Sequence, residues 1–182
     1  MGSVRSSERG FSLNELMLVV AVAATMMTVA VPVMTDVAES SKLGNSARGI
    51  ERELQSARLK AVTTNRILRV RLNCPVAGYY RTVEYLNSAA DSAANRCLVT
   101  AYPFPADNDL MTRPNYDGPL RELPVGSTVG TDVLEFHPDG TAVQVVANAP
   151  QAISTQVTIT VTRRSKTKAI TVNGAGKIQL QQ

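Results

Sequence analysis

Few side chains in this 182-residue sequence are of types and spacings that could carry out chemistry. The two cysteines, Cys74 and Cys97, flank an Ala- and Ser-rich segment and are expected to close it as a disulfide rather than stay as two buried thiols, and they are too few for a four-cysteine zinc module. His137, the only histidine, precedes the turn Pro138-Asp139-Gly140 and has no companion with which to build a metal or nucleophilic centre. Asp107, Asp109 and Asp117 invite comparison with a calcium loop, but the alternation breaks at Met111 and the necessary glycine and closing glutamate are missing, so solvated loop carboxylates are expected. Glycine-rich phosphate loops of the common patterns do not occur. No enzyme activity, bound metal or cofactor is therefore expected. Arg163, Arg164, Lys166 and Lys168 put four cations within six residues, enough to neutralise about three or four phosphates of a nucleic acid. The same charges would also keep a hairpin tip soluble and deter edge pairing. With no Trp and 4% aromatic residues, platforms for stacking bases are scarce.

Glu15 is of another kind, because of the element that holds it. From Phe11 to Thr35, eighteen of twenty-five residues are apolar, and neither Lys nor Arg occurs between Arg9 and Lys42. As a helix, Phe11 to Met34 spans roughly 36 Å at about 1.5 Å per residue, enough to cross a hydrocarbon core of about 30 Å. A secretory signal peptide has a shorter apolar run, about 7 to 15 residues, ending at a small-residue cleavage site. Apolar residues continue for ten positions beyond Ala21 to Ala24, so a retained membrane anchor is favoured. Arg5 and Arg9 precede the segment and Asp36 and Glu39 follow it, which predicts a cytoplasmic amino terminus and an exported remainder. Glu15 is the only ionisable group inside the segment. A carboxylate there costs about 2.5 kcal/mol or more unless it reaches the interface or is neutralised by a cation on a neighbouring helix.

The run Arg9-Gly10-Phe11-Ser12-Leu13-Asn14-Glu15-Leu16 resembles the type III signal of type IV pilins and type II secretion pseudopilins. The resemblance implies a leader of residues 1–10, removed by a prepilin peptidase between Gly10 and Phe11, with Phe11 then N-methylated. It implies that Glu15 assists assembly by pairing with the amino terminus of an adjacent subunit, and that Pro32 kinks the helix. Asn14 departs from the family's usual apolar residue before the glutamate. A competing pattern, Met1-Gly2 with Ser6, fits N-myristoylation loosely and would leave with the leader.

Beyond the anchor, Ile50, Leu54, Ala57 and Ala61 recur at helical spacing and form one apolar stripe over an amphipathic continuation, 36–64. Arg48, Glu51, Arg52, Glu53, Arg58 and Lys60 read as its solvated side. Asn65 ends the helix. Within an exported β-rich domain, 65–182, Leu68, Val70 and Leu72 alternate with Arg69 and Arg71 as a half-buried strand. Further strands are predicted at Tyr79–Leu86, Cys97–Tyr102, Val133–Phe136, Thr141–Val146, Val157–Val161, Ala169–Val172 and Lys177–Leu180. Turns fall at Pro138-Asp139-Gly140 and Asn173-Gly174-Ala175-Gly176, and the proline-rich stretch from Pro103 to Pro124 reads as a long irregular surface loop. The composition, 44% hydrophobic and 19% charged, supports a packed core rather than disorder. The predicted fold class is α+β, one long helix packed on an antiparallel sheet.

Leu54-Gln55-Ser56-Ala57-Arg58-Leu59-Lys60-Ala61-Val62, the Phe136-His137-Pro138-Asp139-Gly140 turn and the closing Gly176-Lys177-Ile178 strand resemble the GspH/FimT branch of pilin-like proteins. This implies a minor type IV pilin that joins a pilus through its helix, or a type II secretion pseudopilin. Its partners would be other pilin or pseudopilin subunits, the prepilin peptidase, an inner-membrane assembly platform and, before assembly, the inner membrane, with the domain in the periplasm. A DNA-uptake subgroup carries Gly-Arg-x-Arg near the carboxyl end. Gly176, Lys177, Ile178 and Gln179 stand in the corresponding places, so DNA contact by Lys177 lacks its second basic partner.

Overall fold

The computed structural model describes residues 12–105, 114–130 and 133–181. Gly10, Phe11, Asp107 and Asp109 fall outside them, as does the side chain of Pro32. The chain divides into two units, one ending at Glu39 and the other running from Ser40 to Gln182. Helix α1, Leu13–Thr64, contributes its first part to one unit and the rest to the other. Ser12 precedes it as an N-cap: its hydroxyl accepts the Asn14 amide at 3.4 Å, and Glu15 lies in the first turn. In the first unit the helix is apolar on every side and exposed along its length, from Leu13 at 77% to Met34 at 73%. Such a surface requires lipid or other helices to cover it. At the far end, Asn65 takes φ of 54° and the Arg66 amide reaches back to the Ala61 carbonyl at 3.2 Å, the wrap that closes a helix with a left-handed residue.

In the second unit one stripe of α1 is buried: Leu43, Ala47, Ile50, Leu54, Ala57 and Ala61, three or four residues apart. Two antiparallel sheets pack with it, where one was expected. The first has the order β3-β2-β1-β5-β6-β7, with β1 Leu68–Leu72, β2 Tyr79–Glu84, β3 Arg121–Glu122, β5 Val133–Phe136, β6 Ala142–Val146 and β7 Ala149–Ala152. The second has the order β10-β9-β8-β4, with β4 Ser127–Val129, β8 Val157–Arg163, β9 Lys166–Val172 and β10 Ile178–Leu180. Leu68, Val70, Leu134, Phe136, Ile159, Val161 and Ile170 join the helix stripe in a single core.

Three expectations are corrected. The run Cys97–Tyr102 is not a strand but a series of turns, with the Leu98 amide bonded to Asn95 and the Tyr102 amide to Leu98. Its β-forming composition yields to tertiary anchors, the Cys97 sulfur and the Arg96 guanidinium stacked 4.6 Å from the Tyr102 ring centroid. β1 is not half-buried, because Arg69 is as enclosed as its neighbours. The described parts of the proline-rich stretch are not merely surface loop, since Asp117 and Leu123 are buried and β3 lies within it. β7 escaped notice because it contains Pro150, which an edge strand tolerates. Ala147 and Asn148, both with positive φ, make the two-residue turn that leads into it.

Candidate assembly interface

Glu15 sits where the helix begins, its amide bonded to the Ser12 carbonyl at 3.0 Å. Ser12 and Glu15 are three positions apart, the spacing of a capping box, so the helix dipole also favours a carboxylate at this place. Around it Leu13, Leu16 and Met17 are exposed apolar residues. Within the described residues α1 is the one helix long and apolar enough to cross a membrane. It is continuous through position 32.

The domain that the helix carries is fixed by charges that the spacing of the sequence did not disclose. Three residues assigned to the solvated side of α1 are docking groups instead. Glu53 accepts the Thr82 hydroxyl at 2.7 Å and lies 3.5 Å from Arg121, and Lys60 donates to the Tyr116 carbonyl at 3.2 Å. The Arg58 Nε donates to the Gly140 carbonyl at 2.9 Å and its Nη2 to the Ala175 carbonyl at 3.2 Å, joining the two turns read from sequence. Gly176, at φ of 73°, lies against both: a Cβ there would collide with the Gly140 oxygen and the Arg58 guanidinium. Asp139 rigidifies the first turn by accepting the Thr141 hydroxyl at 2.6 Å and amide at 2.9 Å, and these bonds hold its carboxyl below the usual range. Beside Arg58, exposed Leu59 and Val62 line a groove of about 460 Å³ with Gln55, Lys177 and Ile178.

On the face of the first sheet away from α1, a segment between β2 and β3 is held down by buried ions. Asp117 accepts the Glu84 amide at 2.8 Å and both terminal nitrogens of Arg96, with Arg81 Nη2 at 3.7 Å. Asp117 is thus neither a calcium ligand nor a solvated carboxylate. Burial, opposed by Asp117, lowers the Arg81 pKa, and burial followed by repulsion from Arg96 and Arg69 lowers that of Arg71. Arg69 pairs with Glu135 at 2.6 Å across β1 and β5, and His137 Nε2 stands 3.0 Å from the other Glu135 oxygen. Cys74 and Cys97 are joined in a disulfide with 5.6 Å between Cα atoms, packed on Val83 beneath the same segment.

The suspected nucleic-acid residues are not brought together. Arg163 is buried and turned inward, donating to the Pro124 and Val125 carbonyls and to Ser127 Oγ at 3.2 Å. Its removal from the exposed tip corrects the reading of four available cations, because the loop carbonyls before β4 need a donor. Arg164, in the left-handed region at φ of 51°, and Lys166 are exposed at the tip, with Lys168 partly covered. Lys177 lies at the opposite end of these strands, beside the Asn173 turn.

The family described as Type II transport protein GspH matches residues 46–176 of the chain. No curated protein matches the sequence. Among solved structures, the type IV minor pilin FimU of Pseudomonas aeruginosa superposes with a TM-score of 0.50 at 18% identity, over 79% of this chain and 91% of that one. The minor pseudopilin EpsH of the Type 2 Secretion System of Vibrio cholerae gives a TM-score of 0.47 at 15% identity, over 77% and 96%. At these identities the likeness to FimU is one of fold.

Proposed function

Because the chain belongs to the GspH family, whose match spans residues 46–176, we propose that it is a minor type IV pilin, a structural subunit that enters a pilus through α1 and assists its assembly. The observation that carries this reading is the first part of α1: an all-round apolar, exposed helix in covalent continuity with a docked helical stripe. In the membrane, lipid covers it; in a fibre, the helices of other subunits do. Residues 1–10 are the leader, the prepilin peptidase cuts between Gly10 and Phe11, and Phe11 is N-methylated. Before assembly the chain is a single-pass inner-membrane protein with its domain in the periplasm, where an assembly platform receives it. The carboxylate of Glu15 meets the new amino terminus of a neighbouring subunit, and Pro32 bends the helix within the bundle. A pseudopilin of type II secretion is the second reading, favoured by the description of the family itself.

Mass spectrometry of the protein from cells that hold an active prepilin peptidase tests the shared core of both readings. The expected amino terminus is methylated Phe11. An intact amino terminus at Met1 or Gly2 would overturn the assembly role and leave only an anchored exported protein. Deletion of the gene separates the two readings, since loss of surface pili and loss of protein secretion are different phenotypes.

A further inference from the structure

On the face of the first sheet away from α1, four arginines, Arg69, Arg71, Arg81 and Arg96, lie among three described carboxylates, Asp91, Asp117 and Glu135. Arg71 of β1 stands opposite Arg81 of β2, with Arg69 two positions along its own strand. Like charges set opposite one another across a ladder repel. Asp117 neutralises Arg81 and Arg96, and Glu135 neutralises Arg69. Asp91 gives its two oxygens to the amides of Leu86 and Ser88. Arg71 is left with one long hydrogen bond, 3.4 Å from Nη1 to the Asp91 carbonyl, and among the described residues no ion pair engages it. It is nonetheless partly buried. Burial and then repulsion from Arg96 and Arg69 lower its pKa, and the attraction of Asp91 does not make up the difference.

This under-compensated guanidinium lines a cavity of about 220 Å³, with Arg69, Asp91 and Asn148 on its polar side and Val133 and Val145 on its apolar side. An adjoining cavity of about 280 Å³ shares Arg69, Asp91 and Asn148 with it. Strand register explains why a cation and two valines meet: Arg71 pairs with Val133 and Val133 with Val145, so the three stand in one row on one face. Asn148 comes from the two-residue turn between β6 and β7, where it holds φ of 65° and is exposed. Its side-chain amide has no hydrogen bond among the described residues. The planar fork of a guanidinium takes a carboxylate through two parallel bonds. One positive charge in surplus matches one negative charge, and the Asp91 carboxylate in the wall penalises a second. The valines favour an aliphatic stem over water.

We propose that this cavity binds a monoanionic carboxylate carried on a short aliphatic stem, with Arg71 as the fork that grips it, Asn148 as a further donor and Val133 and Val145 along the stem. A glutamate side chain of another protein and a free small carboxylic acid both offer this chemistry. The site lies wholly within the second unit and requires neither the membrane nor a fibre to be complete. Binding supplies Arg71 with the counter-charge that its own chain does not, which is where the affinity comes from.

The test titrates the full chain, held in uncharged maltoside micelles, with sodium butyrate and follows main-chain and side-chain resonances by NMR. Saturable shifts centred on Arg71 and Asn148 are expected, with no comparable shift from butyramide, the uncharged analogue. Arg71→Gln should weaken butyrate binding at least tenfold, because it removes a charge-assisted pair. Asn148→Gly keeps the left-handed turn and removes only the amide, so it should weaken binding several-fold with the fold intact. Glutamate blocked as its N-acetyl α-methylamide distinguishes the two sources. Binding as tight as that of butyrate assigns the cavity to a protein side chain, and binding of butyrate alone assigns it to a free acid; either outcome sustains the proposal. Shifts that do not saturate, equal shifts with butyramide, tighter binding of inorganic phosphate than of butyrate, or an affinity unchanged in either folded variant would overturn it.

Discussion

The Glu15 carboxylate can be used in two ways, and one substitution separates them. As the third helical residue after Ser12 it completes the spacing of a capping box and meets the positive end of the helix dipole. As the only charge in an apolar segment it calls for a cation from outside the chain. Glutamine retains the capping capacity and loses the charge. Glu15→Gln is therefore expected to leave helix content and leader cleavage unchanged while reducing incorporation into fibres at least tenfold, measured as the fraction of subunit recovered in sheared pili. Incorporation equal to the parent would mean that the residue acts as a cap at the membrane edge. On the proposed reading, the spacing of Gly10, Phe11 and Glu15 stands out in sequence because a peptidase and a neighbouring subunit would each recognise a short linear stretch. Arg58 was illegible for the opposite reason. It stands among helical charges that look solvated, and its partners are main-chain carbonyls of Gly140 and Ala175, which leave no trace in residue type.

Among the elements, strands with periodic apolar residues were readable and those held by single anchors were not. β5 matches expectation to the residue, and β1, β6, β8, β9 and β10 lie within a few residues of it; β1, β5, β8 and β9 each bury alternate side chains in one core, whereas β6 buries only Ala142 there. The segment covering the other face of the first sheet has no such period. It is fixed by the disulfide and by Asp117, whose two arginine partners come from β2 and from a turn. Leaving Arg96 and Arg81 buried without their carboxylate should be costly. Asp117→Asn is expected to lower unfolding free energy by about 3 to 5 kcal/mol. It should also raise hydrogen exchange first at the Glu84 and Gly118 amides, the former bonded to Asp117 and the latter to Thr82. Loss of less than about 1 kcal/mol would show that solvent reaches these ions. The disulfide, closing a loop with a sequence separation of 23, adds about 3 kcal/mol in the chain-entropy picture and secures the same segment. Together the two anchors supply what a short, turn-rich stretch cannot obtain from periodic burial.

For the whole molecule, the division at Glu39 separates two ways of satisfying apolar surface. Every buried core residue lies at or beyond Leu43, whereas the large apolar side chains described from Leu13 to Val37 are exposed. Among the described residues the second unit therefore builds its core from its own stripe of α1, its two sheets and its disulfide. The large apolar side chains described in the anchor are exposed and depend on lipid or on other subunits for cover. A chain of residues 40–182 is expected to be soluble without detergent, monomeric, and to unfold cooperatively within a few degrees of the full-length protein in micelles. Calorimetry and sedimentation decide this. A truncated chain that aggregates, or that melts far below the intact protein, would mean that the anchor contributes to the domain's core. If the two parts are independent, the domain can finish folding while the anchor is still in lipid, and on the proposed reading assembly then exchanges one apolar surrounding for another. Withdrawing the helix from the membrane becomes feasible because the domain's stability is not at stake in that exchange.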